Sequence, residues 1–476
     1  MTNRETDRAW AYHNATKHSV ASVRASRHVL DWPNQPLPYK IYTSLEPIRL
    51  PTEPPSWQAL DRGALAWLCR HANGITKRVR WPGGTMPFRA AACTGALYHI
   101  ELYLVCGQLA DLEAGVYHYA AHDHSLRQLR RGDVREVLVQ ATGGEPSVSE
   151  APVVLACTST FWRNAWKYQA RAYRHSFWDS GTVLANLFAV AVAHDLPAQL
   201  VLGFADAAVN RLLDVEPSRE AAICLVSLGE GQAVTATASS VEPLGLPTER
   251  LSPHEVDYSE IVAMHAASSL DSGEEAVGWR APGSDAAVPS WQSIDEVIRR
   301  RGSSRRFSHE PISSAQLSRL LEAAAQRVPS DFGGAGPLCQ PYLIVNAVDG
   351  LASGTYVLAE GGLEPLRLGS FREQAGFLDL GQALAADAAV NVYALADLHL
   401  AFERFGNRGY RAAQLEGAIQ GGLMYLTAYA QGLGATGLTF FDDDVTAFFS
   451  PHAADKSVMF LTAIGHPAKR ATGFPR

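Results

Sequence analysis

The sequence predicts an α+β fold built twice in tandem, in effect a two-fold dimer fused into one chain. Three observations point to it. The first is an internal repeat. Lys167-Tyr168-Gln-Ala-Arg171-Ala-Tyr173-Arg174 lies 237 residues before Arg404-Phe405-Gly-Asn-Arg408-Gly-Tyr410-Arg411, and at that offset Asp179 meets Glu416, Leu196 meets Leu433 and Asp206 meets Asp443. The leucine-glycine-arginine pattern Leu126 to Glu136 meets Leu363 to Glu373 at the same offset, and Gly115-Val-Tyr117 meets Gly354-Thr-Tyr356 at 239. So long a period excludes a solenoid and implies two equivalent domains facing each other across a pseudo-two-fold interface. The second observation is the order of elements, strands and helices mixed with hairpins, which suits α+β layers. The third is length: 476 residues suit two domains.

The elements follow in chain order. Residues 1–56 read as an extended arm, because prolines recur from Pro33 to Pro55. The first domain spans 57–235. Its helix Asp61 to His71 places Leu65 and Leu68 on one face. Strands follow at Glu101 to Cys106, Val116 to Ala120 and Val153 to Ser159, then a long helix from Trp178 to His194 and a closing strand from Ala222 to Leu228. Residues 236–289 carry Pro, Gly and Ser among charges and read as an exposed linker, with a short helix over Asp257 to Ser268. The second domain spans 290–476. A capping box, Ser313 with Gln316, opens a helix to Gln326 that buries Leu317, Leu320, Leu321 and Ala324. Strands are expected at Pro341 to Asn346, Gly354 to Leu358, Ala389 to Ala396 and Ser457 to Ile464, with a long helix from Gln414 to Gln431. Gly417, Gly421 and Gly422 on that helix would admit a close helix neighbour, so the interface between halves is expected there.

Composition narrows the function classes. The chain is 47% hydrophobic and 19% charged, as a protein with a large core should be. A net charge of −7 does not favour nucleic acid or an anionic membrane as partner. The start lacks a signal-like apolar run, and no uninterrupted apolar run approaches the roughly 18 residues of a membrane span. Six scattered cysteines, none in C-x-x-C spacing, read as reduced thiols, and a cytoplasmic location is expected. His118, His122 and His124 fall in a hairpin without a joining Cys or carboxylate cluster, so no metal is expected. Asp442-Asp443-Asp444 reads as a cap or turn. No glycine-rich phosphate loop follows a strand, which argues against a Rossmann or P-loop fold.

One stretch stands out as chemistry, Arg301-Gly302-Ser303-Ser304-Arg305-Arg306-Phe307. Two guanidinium forks with a hydroxyl midway suit a phosphate monoester. This Arg-x-Ser-x-Arg-x-Phe string, the capped helix and Val328-Pro329-Ser330 resemble the N-terminal signature of the FMN-dependent nitroreductase superfamily. Gly95 to Tyr103, Gly115 to Tyr119, the Lys167-Tyr168-x-x-Arg171-x-Tyr173-Arg174 string and the arm segments Tyr12 to Lys17 and Trp32 to Tyr42 resemble its SagB-type dehydrogenase branch, which includes azoline oxidases of modified-peptide biosynthesis. The resemblance implies tandem nitroreductase-like domains, each a central antiparallel sheet flanked by helices, with flavin at their interface.

The two halves depart from that pattern in complementary ways. The first has Leu50 to Trp57 where a phosphate-holding arginine pair belongs, and Ala92-Cys93 in place of Pro-Ser; the second has Arg404-Phe405 in place of Lys-Tyr. The resemblance therefore implies one FMN per chain. Arg301, Ser303, Arg305 and Arg470 would hold its phosphate. Gly437 and Thr439 would meet the ring from the second half, and Arg89, Thr94 and Gly95, with Cys93, from the first. Lys167 and Tyr168 would face the substrate as catalytic residues, one of them serving as a base once its pKa is lowered, with Arg171 and Arg174 either favouring that loss of a proton or pairing with carboxylates across the interface. The expected activity is dehydrogenation of an azoline-like or peptide-derived metabolite. NAD(P)H-dependent reduction of nitro compounds or quinones, and a flavin-free binding scaffold, are the competing readings. NAD(P)H or oxygen is the expected co-substrate. Because fusion can replace dimerisation, both a monomer and a homodimer of fused chains are expected states.

Overall fold

The computed structural model describes residues 2–81, 84–234, 241–283 and 288–468. The first half builds a seven-stranded sheet in the spatial order Pro47–Arg49, Ser125–Arg131, Gly115–Ala120, Ile100–Cys106, Val153–Thr160, Glu220–Leu228, Ala198–Val201, antiparallel at every pairing. The second builds six strands in the order Gly362–Leu368, Gly354–Ala359, Cys339–Val345, Val390–Asp397, Lys456–Gly465, Gly434–Gly437, again all antiparallel. The orders coincide strand for strand, and the extra edge strand comes from the arm. Ile100–Cys106, Val153–Thr160 and Glu220–Leu228 are buried at every residue. Covered on both faces, they read as continuous apolar runs and are legible in sequence. The hairpin Ile75–Trp81 with Gly84–Arg89 is polar along much of its length and was not foreseen.

Two long helices, α1 (Ala172–Ala193) and α2 (Arg408–Ala430), cross at the centre of the molecule. Both begin six residues before the expected starts at Trp178 and Gln414. The reason is that Arg174 and Arg411, polar in sequence, lie fully buried inside ion pairs. A helical stretch, Phe161–Ala193, is long and apolar enough to cross a membrane, but 89% of its apolar window is buried inside the protein. The helix Ser314–Ala325 carries the expected box, Ser313 accepting from the Gln316 amide at 3.1 Å and Gln316 accepting from the Ser313 amide at 2.9 Å.

The glycine reading is correct at one position of three. A Cβ on Gly422 would lie 2.5 Å from Ala185 Cβ on α1, whereas Gly417 and Gly421 face Met459 and Phe460 of their own sheet. The partner glycine is Gly181, where a Cβ would meet Ala418 Cβ at 2.5 Å and its carbonyl carbon at 2.9 Å. Replacing a helical glycine by alanine ordinarily stabilises by up to about 1 kcal/mol; forcing atoms into a packed crossing costs about 1–3 kcal/mol. Overpacking wins here, so Gly181→Ala is expected to lower the urea unfolding midpoint.

The arm and linker differ most from expectation. The arm is not extended throughout: it opens with the helix Asp7–Ala15 and docks on the second half, where the Asn407 amide donates to Asn3 O at 2.7 Å. The linker is not simply exposed. Its helices Ser259–Ala267 and Gly273–Trp279 bury Ile261, Met264, Ala276 and Trp279, and Leu270 is buried between them. Ser259–Ala267 does for Arg411 of the second half what Asp7–Ala15 does for Arg174 of the first. Arg174 donates to His13 O at 2.7 Å and Thr16 Oγ1 at 3.0 Å; Arg411 donates to His265 O at 2.7 Å and Ser268 Oγ at 2.8 Å. The repeat thus includes an arm for each half.

Candidate active site

Arg301 follows the helix Ile294–Arg300 and reaches into the first half. Its Nε donates to Ala90 O at 2.7 Å, its Nη2 to Arg89 O at 3.2 Å and its Nη1 to Gly302 O at 3.1 Å. A guanidinium has five N–H donors, so two remain for a ligand. Ser303 and Arg305 are exposed. Arg305 has no hydrogen bond or ion pair among the described residues, and the buried Ser304 pins the loop by donating its amide to Ala435 O at 2.9 Å. At the end of that same strand the Gly437 amide donates to the Tyr425 hydroxyl, and Tyr425 Oη lies 3.5 Å from Ser303 Oγ. Thr439 Oγ1 is enclosed without a partner. Tyr425 ties the Arg-x-Ser-x-Arg loop to the Gly437 strand and escaped the sequence reading, since an aromatic on a buried helix looks like core. Its repeat position in the first half is Phe188, which has no hydroxyl. Arg470 lies outside the described residues.

From the first half, Asp179 on α1 organises the loop before the Ile100–Cys106 strand. It accepts from Thr94 Oγ1 at 2.7 Å, the Thr94 amide at 2.9 Å, His99 Nε2 at 2.8 Å and Cys93 Sγ at 3.0 Å. Thr94 therefore commits its hydroxyl proton and its amide to Asp179, while its carbonyl accepts from the Leu97 amide at 3.5 Å. Burial, then Asp179, pushes the half-buried Cys93 thiol well above its usual range, so it stays protonated. Gly95 has φ 66°, and a Cβ there would lie 2.8 Å from the Tyr168 hydroxyl, so only glycine fits beneath that phenol. The Arg89 guanidinium is buried and donates to Pro38 O at 2.6 Å and Ile100 O at 3.3 Å. The Arg89 carbonyl accepts from Arg301.

Lys167 and Tyr168 end the helix Phe161–Tyr168, with Lys167 Nζ 5.2 Å from the Tyr168 ring centre and the His175 ring edge-on to Tyr168 at 4.6 Å. Burial, with Asp179 and Cys93 adding to it, raises the Tyr168 pKa; the Arg305 charge opposes them. The Tyr168 hydroxyl lies over Gly95, and Arg301 of the second half donates to Ala90 O and Arg89 O a few residues before it. The expected lowering is thus reversed: Tyr168 keeps its proton at neutral pH. Arg171 and Arg174 do not assist, because both are spent on Asp442 at 3.0 and 2.6 Å, across the interface. Asp442, the first residue of the helix Asp442–Phe449, is therefore an ion-pair partner rather than a cap.

Its counterpart is Asp206, held by Arg408 and Arg411 at 2.6 and 2.7 Å. Asp206 thus corresponds to Asp442, not Asp443. The one-residue slip falls between the aligned Leu196 and Leu433 and the strands Ala198–Val201 and Gly434–Gly437.

The opposite pseudo-site is closed by the chain itself. The Leu202 and Gly203 amides, which follow the strand equivalent to Gly434–Gly437, donate to the Asp331 carboxylate at 3.0 and 2.7 Å. Phe405, in the place of the phenol, is fully buried against Trp279 at 4.9 Å between ring centres. Asp331 is itself buried, which pushes its pKa up to about 6. His118 pairs with Glu101 and His124 with the Pro51 carbonyl. No group of three His, Cys, Asp or Glu side chains among the described residues could hold a metal.

Comparison with known proteins agrees with the doubled fold. A model of the nitroreductase family matches residues 60–230 and again 298–466. A crystal structure from Anabaena variabilis, named as a nitroreductase, superposes with TM-score 0.82 at 27% identity, over 97% of this chain and 99% of that one. A protein of Methanocaldococcus jannaschii named as a nitroreductase is 26% identical over 27% of this chain and 65% of its own length. The trifolitoxin-processing protein TfxB of Rhizobium leguminosarum is 29% identical over 28% of this chain and 38% of its own length. The chain thus spans less than two thirds of either of these two relatives.

Proposed function

Because the chain belongs to the nitroreductase family, with matching segments in both halves, we propose that it is an FMN-dependent oxidoreductase of the SagB-type branch that dehydrogenates an azoline-like ring in a peptide-derived metabolite. The observation that carries this reading is the composite arrangement: Arg301, in one loop with Ser303 and Arg305 of the second half, donates to Ala90 O and Arg89 O of the first, and the Tyr168 hydroxyl, next to Lys167, lies over Gly95 a few residues on. Similarity to a trifolitoxin-processing protein supports the substrate class.

FMN fits the residues present. Among the described residues Arg305 is unpaired, Arg301 keeps two free N–H donors, and Ser303 stands exposed between them for a phosphate. Thr439 Oγ1, enclosed without a partner, suits a polar edge of the ring system. When bound, FMN supplies hydride acceptance. The chain's own residues orient the substrate and handle the proton. Tyr168, held protonated by burial, donates a hydrogen bond to the ring heteroatom of the substrate instead of acting as base. Lys167 beside it is the residue proposed to take the proton that leaves with the hydride. Oxygen is the proposed terminal acceptor.

The test is a visible absorption spectrum of the purified chain with the released flavin identified and counted. One FMN per chain is expected; two would overturn the asymmetric site, and none after reconstitution would overturn the oxidoreductase reading. Bleaching of bound flavin by NAD(P)H under anaerobic conditions would instead favour reduction as the physiological direction. Tyr168→Phe is expected to retain FMN and slow turnover by about 10²-fold; unchanged turnover would remove Tyr168 from the reaction.

A further inference from the structure

We propose that His175 is the positioning residue of the site, the group that sets the angle of the Tyr168 phenol and so the rate of the reaction. The inference rests on the role given above to Tyr168.

Tyr168 is aimed by packing rather than by a bond. It is the last residue of the helix Phe161–Tyr168, and the chain turns away at Gln169 with φ 51°. Its hydroxyl makes no hydrogen bond among the described residues. The helix end fixes the backbone but leaves the ring to turn about its side-chain bonds. Gly95 makes room for the hydroxyl, and the His175 ring supplies the hold. The two rings meet edge-on at 85°, 4.6 Å between centres. Such a pair favours one mutual angle over the others.

His175 is itself held. Its Nδ1 donates to Asn164 Oδ1 at 2.7 Å, since an amide oxygen only accepts. Asn164 lies four residues before Tyr168, on the same face of the helix. One imidazole from α1 thus bonds to one turn of that helix and packs on the next. On another side it lies against Trp178, 4.8 Å between ring centres, and Trp178 Nε1 donates to Gln414 Oε1 of the second half at 2.6 Å. His175 is buried, and burial, then Arg171, lowers its pKa well below the usual value, so it stays neutral beside the phenol.

The fold does not require this group, because the other half does without it. At the repeat offset, Tyr168 is matched by Phe405, His175 by Ala412, Asn164 by Ala401 and Trp178 by Leu415. Helix α2 runs unbroken through Ala412. The imidazole and its two supports occur only in the half that keeps the phenol.

Fluorine NMR of the full chain grown with 3-fluorotyrosine reads the ring directly. The chain has 16 tyrosines, and the resonance missing from Tyr168→Phe belongs to Tyr168. That resonance is expected to be narrow in the parent chain, broadened or split in His175→Ala, and narrow again in His175→Phe, while the others keep their widths. Asn164→Leu releases the imidazole without removing it and replaces a side chain whose Nδ2 already lacks a partner, so the chain should fold and the Tyr168 resonance should broaden. With FMN bound and 2-phenylthiazoline-4-carboxamide as probe, His175→Ala is expected to lower kcat about tenfold to a hundredfold with KM within about twofold. Adding His175→Ala to Tyr168→Phe is expected to slow turnover no further, because the imidazole acts through the phenol. An unbroadened Tyr168 resonance in both His175→Ala and Asn164→Leu overturns the proposal, as does additive slowing in the double variant. Slow turnover by Tyr168→Phe beside the parent rate in His175→Ala overturns this inference alone; the parent rate in Tyr168→Phe overturns the role of Tyr168 and this inference with it.

Discussion

Asp442→Asn is expected to destabilise the protein by about 3–5 kcal/mol, the cost of removing one partner from a buried ionic cluster. Asp442 is 3% exposed, and its removal strands Arg171 and Arg174, 4% and 0% exposed. Arg171 already has Nε and Nη2 without partners, so it cannot redistribute its charge onto other bonds. The neighbouring Asp443 provides the control. It pairs with Lys17 at 2.8 Å with its side chain 77% exposed, and Asp443→Asn is expected to cost at most about 1 kcal/mol. Equilibrium urea unfolding of the two variants separates them. Similar stabilities would mean that the Asp442 cluster adds nothing net to folding. Loss is large against a typical total of about 5–15 kcal/mol, and it falls on the interface that carries the proposed cofactor site.

The same clusters set the acid limit of stability. Asp206 and Asp442 are buried, but their arginine pairs outweigh that and hold both near pKa 2. An unfolded aspartate titrates near about 3.9. A carboxylate depressed in the folded state contributes stability that is present above the unfolded value and is lost as pH falls through the folded one, here between about pH 4 and 2. His18 and His265 add a stage at higher pH. Burial, with nearby arginines, lowers both to about 3. Each binds a proton in the unfolded chain below about pH 6.5 that the folded chain refuses, so stability declines from there toward pH 3. Unfolding measured across pH should show both stages, and Asp442→Asn should flatten the lower one.

The central strands and the capped helix were legible because their signals are local: strands covered on both faces are continuous apolar runs, and a capping box needs only Ser313 and Gln316. The doubled architecture was legible because the helix-start motif, Arg171 with Arg174 and Arg408 with Arg411, survives in both halves. The repeated arm was not. His13-x-x-Thr16 and His265-x-x-Ser268 share little sequence, since each contributes chiefly a backbone carbonyl and a hydroxyl to an arginine, and many sequences supply those. The pairing of Asp206 with Asp442 was obscured by three successive aspartates and a one-residue slip, which only the ion pairs resolve. In the site, the hold of Asp179 on Thr94, from far along the chain, gave no signal in the sequence. Asp331, following Val328-Pro329-Ser330, gave no signal in the sequence; it closes a site only because the opposite half brings two amides to it.

Arg305→Ala combined with Ser303→Ala is expected to weaken FMN binding by about 10²- to 10⁴-fold, since hydrogen bonds to a charged group contribute about 1.5–3 kcal/mol each. Both side chains are exposed and neither holds the fold, so the flavin-free variant should unfold like the flavin-free parent. Arg301 is the poorer choice, because its bonds to Ala90 and Arg89 carbonyls join the two halves and its loss would confound folding with binding. Retained FMN in the double variant would mean that the phosphate sits elsewhere. The companion variant is Asp331→Ala. It frees the Leu202 and Gly203 amides of the opposite pseudo-site but supplies no phosphate anchor, and Phe405 stays buried under Trp279. Its flavin count is expected to remain one per chain. A rise to two would show that the plug alone, and not the missing arginines of the first half, makes the molecule asymmetric. The two variants together therefore assign the asymmetry to its cause: anchors present on one side only, with the other side sealed because nothing remained there to hold.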